Sequence, residues 1–231
     1  MNYKILITTF LFGSLSFMQS CSNGNNNTTK NDTANTTSTS SMSDSNNNMK
    51  MDSGMKMNSN QSNNGLMDAM NNMMANMNAM KMTGDFDKDF ATMMIEHHQG
   101  AIDMAKIELA QGSDEKMKSM AQNIITKQTD EQNKLRDLLN NMKPSGMKMG
   151  EGELQKSMSE MSSKTKSMQM SGNVDKDFAT MMSSHHQDGI AMAKLELKNG
   201  MDSKLKQMAQ KGIDDQQKEI NEFKTWQANH K

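Results

Sequence analysis

Apolar residues recur at spacings of three and four along three successive stretches of the chain. Such spacing places the apolar side chains on one face of a helix. The first stretch covers about residues 66–82, and the second runs from an N-cap at Asp85 or Asp87 to Gly112, which ends it. The third covers about residues 113–142. We therefore predict three helices whose short connections favour antiparallel neighbours in a bundle.

The same pattern occurs a second time, 88 residues later. Residues 87–94 return unchanged at 175–182, and the same offset carries His97-His98 onto His185-His186. A register without gaps over this span indicates duplication of a whole folding unit. Three helices enclose only a small core, so we expect the two copies, or two chains, to pack together. The two copies are placed at residues 65–143 and 153–231.

Composition limits what this core is made of. Apolar residues are 34% of the chain and aromatic residues 4%, while 31 residues are Met. An ordinary Leu and Ile core is excluded, so either much of the chain is disordered or Met packs the interior. Scarce β-branched runs argue against a β-sandwich or barrel. The formal net charge is −1, with no basic stripe, so nucleic acid is not an expected partner.

Residues 1–20 are typical of a lipoprotein signal peptide. Lys4 precedes an apolar run, residues 5–17, that is too short for a typical membrane span. A small residue, Ser20, then precedes Cys21, which is the only cysteine. We predict that Cys21 is lipidated, which would make the lipid the only membrane attachment and place the protein in the cell envelope of a bacterium. The alternative is a free thiol.

Residues 21–64 are rich in Asn, Ser and Met and show no helical or strand period. Such a polar segment buries too little apolar surface to fold, so we predict a disordered linker that acts as a tether. Five Met occur in its second half, at positions 42, 49, 51, 55 and 57. Exposed Met has no packing role there. These thioethers either add weak metal ligands or reflect compositional drift.

Both copies of the second helix carry two adjacent His within their apolar stripe. Residues four and seven apart lie on one side of a helix. Met93, His97 and Met104 therefore line one edge, and Met94 and His98 form a second pair. The corresponding residues of the second copy are His185, His186, Met181, Met182 and Met192.

This set of side chains fits a soft metal ion. Thioethers are neutral, soft donors that suit Cu(I), and by the same chemistry Ag(I), and imidazole also suits copper. Imidazole has to be neutral to bind metal, so affinity should fall below a pH of roughly 6.5. The structural alternative is a core in which the His are hydrogen-bonded and the Met only pack.

Two polar residues interrupt the inner stripe of the third helix in each copy. We predict that they hold the imidazoles in place, with buried hydrogen bonding alone as the other explanation. They are Gln128, Glu131, Gln216 and Glu219.

The run from Phe90 to Ala105, FATMMIEHHQGAIDMA, resembles the signature of the DUF305 family. Gln128, Glu131 and Trp226 also fit the family pattern. The resemblance implies a ferritin-like helical bundle in an exported bacterial protein, and it implies copper handling with His and Met as ligands. The second copy departs from the signature at Ser183-Ser184 and Asp188-Gly189.

The sequence thus predicts an all-α fold, with tandem ferritin-like helical units after a disordered tether. We expect a lipid-anchored protein that binds copper as Cu(I), or Ag(I), and sequesters or buffers it without turnover. A ferritin-like metal-dependent oxidase is one alternative, although the Glu-x-x-His pairs of such sites do not occur. A structural module, or a Met-rich oxidant sink, is another. The chain is also compatible with a homo-oligomer.

Overall fold

Six helices and no strand make up the part of the chain that the structure, a computed structural model, describes: residues 59–143 and 150–230. This confirms the all-α prediction. The predictions for the signal peptide, Cys21 and most of the linker lie outside the described residues. Within the described ranges, no helix has both the length and the apolar character needed to cross a membrane. The helices are α1 (Ser59–Ala79), α2 (Phe86–Gln111), α3 (Glu115–Asn141), α4 (Glu151–Ser167), α5 (Val174–Asn199) and α6 (Ser203–Asn229).

The two copies fold alike to the residue over most of their length. α5 begins and ends 88 residues after α2, α6 does so relative to α3, and α4 ends 88 residues after α1. Helix ends that coincide in this way reflect equivalent caps. Asp114 accepts a hydrogen bond from the backbone N–H of Met117, and Asp202 accepts one from that of Leu205. These carboxylates satisfy N–H groups that have no partner within the helix.

The linker is shorter than the sequence predicts, because α1 begins at Ser59 and not after residue 64. Residues 59–64 are all polar and carry no apolar period, so their pattern gives no sign of a helix. Once the apolar residues from Leu66 onward fix a helix against the bundle, each further upstream residue adds a helical hydrogen bond at little cost.

A tight turn precedes α2 and its counterpart α5. Asp89 accepts hydrogen bonds from the backbone N–H groups of Thr83 and Gly84, at 2.7 and 2.9 Å. Gly84 has φ of 81° and its counterpart Gly172 has φ of 91°. Residues with a Cβ rarely adopt this conformation, which explains the glycine in both copies.

α2 and α5 form the centre of the fold. α3 packs on α2 and α6 on α5, α1 packs on α2 and α4 on α5, and α2 and α5 contact each other. Met is the commonest residue of the interior: the described residues include 13 buried Met, against eight buried Leu and Ile together. The first-helix Met run belongs to this core, because Met70, Met73, Met74 and Met77 are all buried. Met therefore does the packing that Leu and Ile usually do.

Two reciprocal contacts hold α2 and α5 antiparallel. Asp87, at the start of α2, accepts hydrogen bonds from the backbone N–H groups of Met201 and Asp202, which follow α5. Asp175, at the start of α5, accepts bonds from the N–H groups of Ser113 and Asp114, which follow α2. The beginning of each central helix is thereby joined to the end of the other. The two copies pack together within one chain.

Each of these aspartates is also paired with a buried glutamate of the other copy. Glu108 and Glu196 are fully buried, and neither has a hydrogen-bond donor beside its carboxyl oxygens. Burial, a hydrogen bond to Asp175 and the charge of Asp175 raise the pKa of Glu108 to about 8. Burial and the charge of Asp87 raise the pKa of Glu196 to about 8. Each glutamate therefore carries the proton that it donates to its aspartate at neutral pH.

We predict that the free energy of unfolding falls as pH rises from about 6.5 to 8. In this window folded Glu108 and Glu196 keep a proton that the unfolded chain, with an ordinary pKa of 4.5, has lost. Each contributes a slope of up to about 1.4 kcal/mol per pH unit. Urea denaturation at several pH values measures this. A Glu108→Gln, Glu196→Gln variant keeps a donor at both positions and should lose the slope. An unchanged slope in that variant would contradict the assignment.

Candidate metal centre

All ten side chains predicted as metal ligands are buried and lie on α2 or α5, and the contact between these two helices is here called the seam. His97, His185 and His186 have no exposed surface and His98 is 4% exposed. The thioethers lie on the same helices, one or two turns from the imidazoles. All six are buried: Met93, Met94, Met104, Met181, Met182 and Met192.

The duplicated imidazoles meet at the seam. The ring centroids of His97 and His185 are 3.7 Å apart, and the rings are stacked at an angle of 28°. His98 lies 6.4 Å from His97, and His186 lies 6.0 Å from His185, measured between centroids. Four imidazoles from two copies are thus brought into one buried group. The sequence predicted an equivalent pair in each copy but not their stacking across copies.

Three of these rings use Nε2 to hold themselves in place. His98 Nε2 lies 3.1 Å from Oε2 of Glu131, and His186 Nε2 lies 2.8 Å from Oε2 of Glu219. His185 Nε2 lies 2.9 Å from the backbone oxygen of His97. All three partners are acceptors, so each Nε2 carries the hydrogen, and in the neutral ring the lone pair is on Nδ1.

The remaining ring nitrogens have no partner. Nδ1 of all four His, and also Nε2 of His97, are buried without a hydrogen bond. Buried polar atoms are nearly always bonded, so five such nitrogens in one group require an explanation. Histidines that bind metal typically donate the other ring N–H to a carboxylate or a backbone oxygen, as His98, His185 and His186 do. The hydrogen bonds of these three rings thus have the same pattern as those of metal-binding histidines.

Electrostatics keeps the central rings neutral. Burial lowers the pKa of His97 well below its ordinary value of 6.5, and positive charge on His185 would lower it further. Burial likewise lowers the pKa of His185, with His186 as the next cause. Protons therefore compete with a metal ion for these two rings only well below pH 6.5. From the sequence we expected that competition to start near pH 6.5, where an ordinary imidazole titrates.

Glu219 is ionised and can accept the hydrogen bond of His186. Burial would raise the pKa of Glu219, but hydrogen bonds and charge from His186 and Lys127 outweigh burial and lower it. Lys127 of the first copy reaches Oε1 of Glu219 at 2.7 Å. His186 of the second copy is thus hydrogen-bonded to Glu219, which also forms an ion pair with Lys127 of the first copy.

The prediction for Gln128 and Gln216 is wrong, because neither holds an imidazole. Every ring nitrogen of the four His either bonds elsewhere or has no partner, and the side-chain oxygens of both glutamines are buried without a hydrogen bond. The glutamine that does support α2 is Gln132, which donates to the backbone oxygen of Ile95 at 2.8 Å. The sequence did not predict this role for Gln132, since many glutamines on helices are exposed to solvent.

The side chains fit a soft ion better than a hard one. Within residues 59–143 and 150–230 there is no group of three or more His, Cys, Asp and Glu side chains that could together hold a metal ion. The buried thioethers of α2 and α5 are further donors beside these imidazoles. Imidazole and thioether together favour Cu(I) and similar ions.

Fold and site together define a class: a tandem-duplicated helical protein with His and Met buried where the copies meet. The chain belongs to the DUF305 family, a domain of unknown function, which matches residues 17–139 and 140–227. The match confirms the resemblance found in the sequence and the division into two copies. A comparison with curated proteins finds no match.

Solved structures provide further similarities. CopM in the Cu(I)-bound form is 28% identical, with a TM-score of 0.48, over 62% of this chain and 96% of that one. CopM in an Ag-bound form obtained by soaking is 27% identical, with a TM-score of 0.48, over 65% and 98%. A DUF305 fragment from Deinococcus radiodurans is 19% identical, with a TM-score of 0.48, over 62% and 96%.

We predict that nitrogen NMR of the metal-free protein finds the Nε2–H tautomer at His98, His185 and His186. His97 and His185 should also stay neutral when the pH is lowered to about 5.5, because burial lowers their pKa values. Ring 15N shifts report both properties. Titration of His97 and His185 with midpoints near 6.5 would contradict this structure of the seam.

Proposed function

We propose that this protein binds Cu(I), or Ag(I), in the seam and thereby sequesters or buffers the metal in the cell envelope. One observation carries the proposal. The Nδ1 atoms of four buried imidazoles have no hydrogen-bond partner, and three of these rings are fixed by a hydrogen bond from Nε2. Buried thioethers lie one helical turn from each ring along the same helix. The proposal requires binding and release but no chemical turnover.

The choice of ion follows from the donors. Thioether sulfur is neutral and soft, so it binds Cu(I) and Ag(I) well and Mg²⁺ or Ca²⁺ poorly. Thioethers do not form disulfides, so they would keep their ligand role in an oxidising envelope, where thiols do not. Cu(I) and Ag(I), both also bound in solved structures of CopM, are the first probes to use.

Attachment to a membrane would come from the other end of the chain. The apolar run before the single cysteine supports export and lipidation at Cys21. The tether that follows would then allow the helical core to stand off the membrane. Met residues in the tether would add weaker thioether ligands.

The other functions have less support. A sacrificial oxidant sink requires exposed sulfur, whereas most core Met are buried, and Met201 at 63% exposure is the exposed large apolar residue of the described part. A di-metal oxidase of the ferritin type requires clustered carboxylates, and the described residues contain no such group.

Metal titration tests the proposal. We predict that Met93→Leu with Met181→Leu weakens Cu(I) binding at least tenfold, measured by competition with a chromophoric chelator. Each change removes a sulfur atom one turn before His97 or His185 but keeps the side-chain volume, so the fold should survive with a loss under about 1.5 kcal/mol.

The second copy supplies the matched control for this experiment. Met117, a buried Met of α3, corresponds to Leu205 of α6, so Met117→Leu introduces a residue that the fold already accepts. This variant should bind Cu(I) like the wild type. Equal affinity of all three proteins, or no uptake of Cu(I) or Ag(I) by the wild type, would refute a metal centre in the seam.

Lipidation is tested separately. We predict that the protein made with its full amino terminus in bacteria partitions into detergent and that its mass reports an acylated cysteine. Cys21→Ser should leave it unacylated, because the thiol is the atom that accepts the lipid. Identical masses, apart from the substitution itself, would refute the anchor without affecting the metal proposal.

A further inference from the structure

A cavity of about 140 Å³ lies beside one of the four imidazoles. Its rim includes Asp130 and Lys134, whose side chains are 61% and 58% exposed, so it opens to solvent. Its wall includes Met94 and His98 of the first copy and Met208 of the second. Sulfur and imidazole thus line a path that leads from the surface toward the seam.

A glycine at the inner end of this cavity also packs against His97. Gly189 lines the cavity, and a Cβ at this position would lie 3.0 Å from Cε1 of His97 and 2.6 Å from Oε1 of Gln216. The absence of a side chain at Gly189 therefore lets this cavity-lining residue pack directly against the edge of the His97 ring. Gly212, on α6, also lines the cavity, and a Cβ there would meet nothing within 4 Å.

The equivalent position in the second half is closed. Gly189 corresponds to Ala101, Gly212 to Ile124, and Leu135 to Phe223, each 88 residues apart. Ile124 and Phe223 are buried, and the ring of Phe223 lies 6.3 Å from that of His186. The neighbouring cavity there is lined by Met120, Ile124 and Glu219, among others, and His186 does not line it. Larger side chains at three positions thus cover the second copy's imidazole.

The carboxylates that hold the two imidazoles show the same difference. The Glu131 side chain is 21% exposed, whereas that of Glu219 is 11% exposed and also bonded by Lys127. The His98 side chain is 5% exposed and that of His186 has no exposed surface. The ligands are duplicated, but their access to solvent is not.

We propose that metal enters and leaves the seam on one side only, through the cavity beside His98. This inference rests on the proposed metal binding and adds the route to it. An ion that passes the rim would meet the thioether of half-buried Met208, then Met94 and His98, and could exchange water for protein ligands one at a time. Asp130 and Glu131 line the same opening together with Lys127, Lys134 and Lys211, so the thioethers and His98, and not net charge, would attract a soft ion there.

Closing the cavity with the residues of the other copy tests the route. Gly212→Ile introduces the counterpart of Ile124 into open space, and Leu135→Phe introduces the counterpart of Phe223 from a different helix. Gly212→Ala is the control, since it removes the helical glycine, worth about 1 kcal/mol, but adds only one carbon. None of these residues is a proposed ligand. Circular dichroism verifies that each variant is folded.

The measurement is the rate of Cu(I) transfer from a coloured chelator complex in stopped flow, together with the amount bound at equilibrium. We expect Gly212→Ile and Leu135→Phe to load at least tenfold more slowly than the wild type and Gly212→Ala, with the same final stoichiometry. Loading of both filled variants at the wild-type rate would overturn the route but leave metal binding intact. A wild-type protein that takes up no metal would overturn both.

Discussion

The contact between His97 and His185 is the constraint on which the seam depends. Stacking two imidazoles at 3.7 Å inside a protein excludes protonation of both, since two buried positive charges at that separation would repel strongly. Burial enforces neutrality by lowering both pKa values. It also leaves ring nitrogens without partners, each at a cost of about 1–3 kcal/mol. A soft cation is the partner that would satisfy those nitrogens without protonating the rings.

The ends of the central helices make this contact reproducible. Asp87 and Asp175 each bind the backbone beyond the opposite helix, so α2 and α5 are fixed in register at both ends. His97 and His185 lie between those two points, at equivalent positions, and therefore meet. The protonated Glu108 and Glu196 allow the aspartates to be buried without two carboxylates repelling each other. The carboxyl pairs and the imidazole pair are thus parts of one arrangement about the pseudo-twofold axis that relates the copies.

Local pattern predicted most of the fold, because caps and apolar spacing act over a few residues. The second helix of each copy ends at Gly112 or its counterpart Gly200, and the third begins after Asp114 or its counterpart Asp202. Pairings between distant residues gave no such signal. The hydrogen bond that the Ser113 backbone N–H donates to Asp175 joins positions 62 apart, and the residues around either position do not predict it. The stacking of His97 on His185 and the bond of Gln132 to the backbone of Ile95 were hidden for the same reason.

Duplication within one chain also allows a kind of asymmetry that a homodimer lacks. In a symmetric dimer, a glycine that opens a path to one imidazole opens the same path to the other. Here the copies changed separately: His98 and His186 keep their acceptors, while Gly189 and Gly212 replace the bulk of Ala101 and Ile124 on one side only. Even the central contact is unequal, since His185 donates to the backbone of His97 and His97 makes no reciprocal bond. His98 of the first copy is thereby more accessible, while His186 of the second is held by a carboxylate that Lys127 also binds.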